Sequence, residues 1–148
     1  MSDHHHHHHV ANVDSVLEKL RDHGMRVTGT RKRLTSVLFD AGQPMSIEAI
    51  HGKLGRKSFD LVTLYRCLDA FEEIGVVQVV RDEHGKALYE LIDAEHGHHH
   101  HVICRKCGNI DCLDTCAIAP FEAAARRLGY DDLSHRLELY GVCADCRG

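Results

Sequence analysis

The sequence predicts an α+β protein with two domains, one mainly helical and one small and rich in cysteine. Apolar residues recur at helical spacing as far as Gly75 and then alternate with polar residues, which indicates helices followed by strands. The second half contains two Cys-x-x-Cys pairs and a run of four histidines. We expect a hexahistidine purification tag in residues 1–9, a first domain in 10–92, a hinge in 93–97 and a second domain in 98–148.

Capping residues and glycines set the limits of four predicted helices in the first domain. Ser, Thr and Asp side chains stabilise a helix N-terminus by accepting a backbone hydrogen bond, and glycine is common just past a helix end. The predicted helices begin near Val13, Thr28, Ser46 and either Ser58 or Asp60, and they end near Gly24, Gly42, Leu54 and Gly75. The predicted buried face of the fourth helix consists of Leu61, Leu64, Leu68, Phe71 and Ile74.

Two strand-like segments, VVQVV and ALYELI, follow the fourth helix and are joined by a His-Gly turn. Short helices followed by a two-stranded wing are typical of a winged helix-turn-helix, in which the fourth helix enters the major groove of DNA. A helical bundle with a hairpin and no affinity for DNA is the alternative. Residues 10–88 carry 12 Lys and Arg against 11 Asp and Glu, whereas residues 89–148 carry 6 against 10, which suggests different partners for the two domains.

The second domain is predicted to mix strands with one helix. Strands are expected around Val102 and Ile103, over residues 109–113 and in HRLELYGVC, with a helix over about residues 117–128. A domain of roughly fifty residues needs a crosslink in addition to its core. Because the chain shows no signal peptide and no membrane-spanning apolar run, we expect a cytoplasmic protein whose 7 cysteines serve as metal ligands rather than disulfides.

The two Cys-x-x-Cys pairs, Cys104 with Cys107 and Cys143 with Cys146, predict a structural zinc site. Each pair supplies two thiolates from a tight turn, and four thiolates suit the closed tetrahedral coordination of Zn2+. A helix and strands fit between the pairs, so the ion would tie the last strand to the start of the domain. A redox role for one pair is the alternative.

The internal histidine run predicts further metal sites if it is extended. Successive side chains of a strand point to opposite faces, so His98 and His100 share one face while His99 and His101 share the other. One strand would then contribute ligands to two metal sites. The alternative is an unstructured histidine tract that buffers metal loosely.

Three residues outside the run are candidates to complete these sites. They are Glu90 on the preceding strand, Glu122 on the predicted helix and His135 at the start of the last strand. Each could equally be a solvated surface residue. Mixed histidine and carboxylate ligands suit Fe2+, Mn2+ or Zn2+, whereas a set of four thiolates suits zinc.

Six segments of the chain, taken in order, resemble one family. They are GMRVTGTRKRLTSVL, SIEAIHGKL, LVTLYRCLDAFEEIGVV, GKALYEL, HHHHVICRKCG and LYGVCADC. They are similar to segments of the ferric uptake regulator family of metal-dependent repressors, and the resemblance covers nearly all of the chain from Val13. It implies a homodimer with an N-terminal winged-helix domain, a hinge and a C-terminal dimerisation domain. It also implies binding to palindromic, A/T-rich operators in double-stranded DNA when a regulatory metal is bound.

The resemblance also implies residues that contact DNA. Thr63, Tyr65 and Arg66 match the recognition helix, where Tyr65 would contact bases and Arg66 a phosphate. Arg26 matches a basic residue that reaches into the minor groove, where a narrow A/T tract concentrates negative potential. Arg31 would add a contact to the DNA backbone. Without the resemblance, the simplest interpretation of Tyr65 is a half-buried packing residue.

Three metal sites follow from the resemblance. The structural zinc set is Cys104, Cys107, Cys143 and Cys146, the regulatory set is Glu90, His99 and His101, and the additional set is His98, His100, Glu122 and His135. Pro44 stands where many iron- and peroxide-sensing members supply a histidine, so the fourth regulatory ligand is open. Zinc-sensing members often have cysteine at the position of Glu90, which favours iron slightly. Cys112 and Cys116 are extra cysteines that could form a redox switch, a modified site or simple packing.

Taken together, these features predict a repressor that controls genes of metal uptake and homeostasis, not an enzyme. Structural Zn2+ is expected, with Fe2+ or Zn2+ at the regulatory site and Mn2+ possible there. A zinc uptake regulator and a peroxide-sensing repressor are the alternatives within the family. Outside it, the alternatives are a metal buffer and a zinc-dependent hydrolase, although no histidine pair with an adjacent general base is found on a predicted helix.

Overall fold

The computed structural model describes residues 12–92, 99–113 and 115–148. The chain forms two compact units, and the second begins at His99. The tag, the expected hinge at 93–97 and His98 lie outside the described residues. Among the described residues, every helix is too short or too polar to cross a lipid bilayer.

The first unit combines four helices with a three-stranded sheet. Its elements are α1 (Val13–Asp22), α2 (Gly29–Ala41), β1 (Met45–Ser46), α3 (Ile47–Leu54), α4 (Leu61–Glu73), β2 (Val77–Arg81) and β3 (Ala87–Leu91). Strands β2 and β3 form an antiparallel hairpin, and β1 pairs with the other edge of β3. The winged helix-turn-helix arrangement is therefore confirmed, with the two-residue strand β1 as an unpredicted addition.

Side-chain caps begin all four of these helices, and at the start of α1 the Asn12 side chain accepts a hydrogen bond of 2.7 Å from the Ser15 backbone N–H. Thr28, Ser46 and Asp60 each accept a hydrogen bond from the backbone N–H three residues later, at 3.3, 3.2 and 2.9 Å. Asp60 rather than Ser58 therefore caps α4. At the other end of α2, Gly42 adopts a left-handed conformation with φ of 58°, which ends the helix without a Cβ clash.

The core of the first unit lies beneath α4. Leu64, Leu68 and Phe71 are fully buried, and Ile74 packs partly against the same cluster. The prediction for Leu61 was wrong, because this residue is 45% exposed. Leu61 is the first residue of α4, and a helical side chain leans toward the N-terminus of its helix, so Leu61 extends beyond the turns that cover the core.

Replacing Leu68 with alanine is expected to destabilise the first unit by about 3 kcal/mol, because it leaves a cavity in a close-packed core. Urea unfolding followed by circular dichroism would measure the change. Val62, an exposed residue of the same helix, supplies the matched control, and Val62→Ala should change the free energy of unfolding by less than about 0.5 kcal/mol. Equal effects of the two substitutions would contradict this assignment of buried and exposed faces.

The second unit is a small mixed sheet with two helices. Its elements are β4 (His100–Cys104), β5 (Ile110–Leu113), α5 (Ala119–Arg127), β6 (Glu138–Gly141) and α6 (Ala144–Arg147). Strand β4 is central, antiparallel to β5 and parallel to β6. The predicted strands and helix are present, while the short helix α6 was not predicted.

Apolar burial in the second unit is sparse. Among its described residues, the buried apolar side chains are Ile103 and Cys104, and α5 has no buried residue. Large apolar side chains are instead exposed at Phe121, Leu128 and Tyr130. A unit of this size with so little core needs another source of stability, such as a metal ion or a partner surface.

Candidate metal centres and nucleic-acid interface

The four predicted zinc ligands gather at one end of the second sheet. Strands β4 and β6 run parallel with Cys104 opposite Gly141, so their carboxyl ends lie side by side. A Cys-x-x-Cys turn follows each end, and the sulfur atoms of Cys104, Cys107, Cys143 and Cys146 all lie within 4.8 Å of one another. The parallel pairing of two strands distant in sequence thus brings the two cysteine pairs together.

The spacing and protonation of these sulfurs suit a tetrahedral zinc ion. The Cys107 and Cys143 sulfurs are 3.7 Å apart, and a tetrahedron with Zn–S bonds of about 2.3 Å requires about 3.8 Å. Backbone N–H donors, first that of Cys143, lower the pKa of Cys104 to about 6, whereas the thiols of Cys143 and Cys107 raise the pKa of Cys146 to about 12. Neighbouring thiolates repel one another, so these crowded thiols resist ionising together. A bound cation offsets that repulsion.

A second cluster consists of His99, His101 and Cys112, whose ligand atoms lie within 4.8 Å of one another. His101 in β4 is directly opposite Cys112 in β5, and directly paired residues project from the same face of a sheet. His99 precedes His101 by two residues, and its ring centroid lies 6.4 Å from that of His101. His101 is buried, whereas His99 and Cys112 are partly exposed.

A third cluster consists of His100, His135 and Cys116, again within 4.8 Å. His100 follows His99 and precedes His101 in the extended segment, so it projects from the opposite face. The ring centroids of His100 and His135 are 5.2 Å apart, and the Cys116 sulfur lies 3.3 Å from Nε2 of His135. The histidines therefore alternate between two clusters, in the manner that the extended run predicts.

Glu122 lies beside the third cluster rather than among its three ligand atoms. Its carboxylate oxygen is 3.3 Å from Nδ1 of His135, while Cys116 lies on the Nε2 side of the same ring. A carboxylate that accepts the Nδ1 proton leaves Nε2 with its lone pair toward the cluster, which is how second-sphere acids orient metal-binding histidines. This geometry suits Glu122 to positioning His135, and direct ligation by Glu122 stays a prediction.

Glu90 occupies a buried position on β3 of the first unit. It is 3% exposed and accepts a hydrogen bond of 2.9 Å from Gln78, its partner across the β2–β3 pair. A buried carboxylate is costly unless it is hydrogen-bonded, paired with a charge or bound to a metal. Its membership in a metal site with His99 and His101 stays a prediction.

The sequence left the roles of Cys112 and Cys116 open between a redox switch, a modified site and simple packing, and did not place them in the histidine clusters. Cys112 could have been assigned from strand alternation if the register of β5 against β4 had been known. Cys116 lies in a segment without regular secondary structure, so no periodicity indicates its direction. Both assignments depend on tertiary structure.

The start of α4 presents an exposed face suited to contact with DNA. Tyr65 is 43% exposed, and Thr63 and Arg66 beside it are also exposed. The Thr63 hydroxyl donates to the capping Asp60 at 2.7 Å, so Thr63 also fixes the N-terminus of the helix. An aromatic ring and a guanidinium on one helix face can contact base edges and phosphates respectively.

Arg26 and Arg31 are linked at the start of α2. Arg26 is exposed in the segment between α1 and α2. Arg31 donates from Nη1 to the Arg26 carbonyl at 2.6 Å. Arg31 therefore holds the backbone that carries Arg26.

Comparison with known proteins places the chain in a family. It matches the Ferric uptake regulator family over residues 22–140. It is 35% identical to the ferric uptake regulation protein of Neisseria meningitidis serogroup C over 138 residues, covering 90% of this chain and 94% of the relative. It is 33% identical to the zinc uptake regulation protein of Mycobacterium tuberculosis over 127 residues, covering 84% and 96% of the two chains.

The fold is similar as well. The solved structure of the ferric uptake regulator of Vibrio cholerae matches with a TM-score of 0.66 at 30% identity, covering 85% of this chain and 98% of that chain. The shared sequence runs through both units, because the family match begins in α1 and ends in β6. This chain is a member of the ferric uptake regulator family.

Proposed function

We propose that this protein is a metal-responsive repressor that binds palindromic, A/T-rich operators as a homodimer and controls genes of metal uptake and homeostasis. Members of its family are transcriptional regulators rather than enzymes. The observation that carries the proposal is the arrangement of β4, whose two faces contribute histidines to separate clusters beside four gathered cysteines. A metal buffer would need no exposed recognition helix, whereas α4 exposes Thr63, Tyr65 and Arg66.

In this proposal α4 reads the operator. Tyr65 contacts bases, with its ring against thymine methyl groups, and Arg66 contacts a phosphate. Thr63 stabilises the start of this helix through its hydrogen bond to Asp60. Arg26 enters the minor groove, and Arg31 adds a backbone contact while holding the Arg26 segment in place.

Three ligand sets complete the proposal. The four clustered cysteines bind structural Zn2+, which the sulfur spacing supports. Glu90, His99 and His101 bind the regulatory metal. An additional site takes His100 and His135, with His98 outside the described residues and Glu122 beside His135.

The exposed apolar surface of the second unit supports self-association. Phe121, Leu128, Tyr130 and Leu139 are all exposed, and Leu128 reaches 78%. Large exposed apolar groups on a unit with a sparse core favour burial against a second copy, since that burial supplies the missing apolar contacts. Analytical ultracentrifugation of the tag-free protein would measure the dimer directly.

Metal binding is proposed to order the DNA-binding units of the dimer. A dimer that holds both recognition helices at the spacing of successive major grooves engages two half-sites at once, whereas a disordered dimer loses free energy in ordering them. A thousandfold change in operator affinity requires only about 4 kcal/mol of coupling between metal and DNA. The ligands therefore need to favour the ordered form only modestly.

Removing the regulatory metal is expected to weaken operator binding by at least about 100-fold. The operator is first selected from random duplexes in the presence of Zn2+, and binding of tag-free protein is then measured by mobility shift with and without chelator. The chelator must leave the four-cysteine site filled, which zinc analysis checks. Adding metal back should restore binding, and a shuffled duplex is the control. Equal affinity with and without metal would refute the metal switch.

A further inference from the structure

We propose that Cys112 and Cys116 are metal ligands. Cys112 joins His99 and His101 in one site, and Cys116 joins His100 and His135 in the other. Each is then a mixed imidazole and thiolate site that prefers Zn2+ to Mn2+ or Fe2+. This inference builds on the proposed metal-binding role of the histidine clusters. It concerns the chemical identity of their ligands and needs no assumption about DNA.

Cys112 is fixed in its cluster by the sheet itself. Its partner across the β4–β5 ladder is His101, so their side chains share a face at a Cβ separation of about 5 Å. His101 is buried, and one ring nitrogen of His101, one ring nitrogen of His99 and the Cys112 sulfur lie within 4.8 Å of one another. Two imidazoles and one thiolate, both ligand types that bind Zn2+, thus meet here, and His101 and Cys112 lie on paired strands rather than on exposed loops.

Cys116 reaches the opposite face through a different part of the fold. Its sulfur is 3.3 Å from Nε2 of His135, and a tetrahedral zinc ion bound by both atoms requires about 3.5 Å. His100, which is buried, completes the group from β4. Glu122 holds the other nitrogen of His135, so the ring already presents Nε2 toward the sulfur.

The thiolates decide the choice of metal. Mn2+ favours oxygen ligands, whereas Zn2+ binds thiolate and imidazole together and tolerates four-coordination. The expectation of iron depended on Glu90 alone, in place of the cysteine common in zinc-sensing members. A cysteine in each histidine cluster outweighs that single carboxylate and directs both sites toward zinc.

Cobalt spectroscopy tests the inference. Tag-free protein with zinc retained in the four-cysteine site is titrated with Co2+, and sulfur-to-cobalt charge transfer is followed in the near ultraviolet. We expect the wild type to show the band, Cys112→Ser and Cys116→Ser each to lose about half of it, and the double variant to lose it completely. Each single variant should also bind one Zn2+ at least about 10-fold more weakly, with Mn2+ affinity almost unchanged.

Cys67→Ala is the matched control, because Cys67 lies in the core of the first unit and outside the three clusters. It should leave the band intact. A charge-transfer band that persists in the double variant would overturn the inference, as would a wild type that shows none. Neither result would bear on operator binding, which the mobility-shift experiment measures separately.

A second measurement uses only the wild-type protein and so does not depend on the variants folding. In the wild-type protein, Zn2+ should protect Cys112 and Cys116 from alkylation by iodoacetamide, with the modified residues mapped by mass spectrometry. Both thiols are at least partly accessible without metal, so protection is measurable. Alkylation at the same rate with and without Zn2+ would show that these sulfurs are not ligands.

Discussion

Replacing Cys143 with serine is expected to remove one zinc ion per chain and to unfold the second unit while the first stays folded. The binding free energy of a structural zinc site is about 10–16 kcal/mol, whereas burying one large apolar side chain contributes about 2–3 kcal/mol. Among its described residues, the second unit buries only Ile103 and Cys104 as apolar groups. Losing the ion therefore removes the main contribution to its stability.

Zinc analysis and hydrogen exchange read by mass spectrometry would measure the two effects. Protection should be lost across residues 99–148 and kept in the first unit, because the described residues of its core all belong to that unit. Asp145→Asn is the control, because Asp145 is exposed between Cys143 and Cys146 and should be replaced without loss of zinc. A Cys143→Ser protein that binds as many zinc ions per chain as the wild type and keeps full protection would exclude the four-cysteine site.

Replacing Tyr65 with alanine is expected to weaken operator binding by about 10- to 100-fold at each half-site, the usual cost of losing a base contact. Replacing Arg66 with alanine should weaken binding to all duplexes alike and reduce the slope of log Kd against log salt by about 1 per half-site. Both side chains are exposed on α4, so neither substitution disturbs the core. Fluorescence anisotropy on operator and shuffled duplexes at several salt concentrations would separate the two effects.

Two substitutions serve as controls for the recognition helix. Tyr65→Phe keeps the ring and should retain most of the affinity. Arg21→Ala removes the same charge from the end of α1 and should leave operator specificity unchanged. Metal content should be the same in every variant, so normal operator binding by Tyr65→Ala and Arg66→Ala proteins would point to a metal-binding protein whose α4 does not read DNA.

The helices of the first unit were predictable because their signals are local. Thr28, Ser46 and Asp60 cap the helices that follow them, and the apolar spacing of α4 identifies Leu64 and Leu68 as core. Leu61 fits the same spacing and is nevertheless exposed, because periodicity does not show where the core ends along a helix axis. The parallel pairing of β4 with β6 was also out of reach, since it depends on a contact between strands far apart in the chain.

The histidine ligands of the candidate sites were predictable from the sequence, but the residues that join them in each cluster were predictable only in part. Histidine alternation follows from backbone geometry, so the division of His99 and His101 from His100 could be stated in advance. Cys112 joins its cluster through strand register, and Cys116 joins through a segment that has no regular repeat. Glu122 has the right chemistry for ligation, but spacing cannot distinguish an acid that binds a metal from one that orients a histidine.

The placement of neighbouring imidazoles on alternate faces constrains how this stretch of chain can evolve. Deleting or inserting one residue within His99–Cys104 would turn every following side chain to the opposite face, and such a change near the start of the segment would remove ligands from all three clusters at once. Exchanges of one residue for another disturb a single cluster and leave the others intact. Natural variants of this segment should therefore differ in residue type but keep its length, with insertions confined to positions outside it.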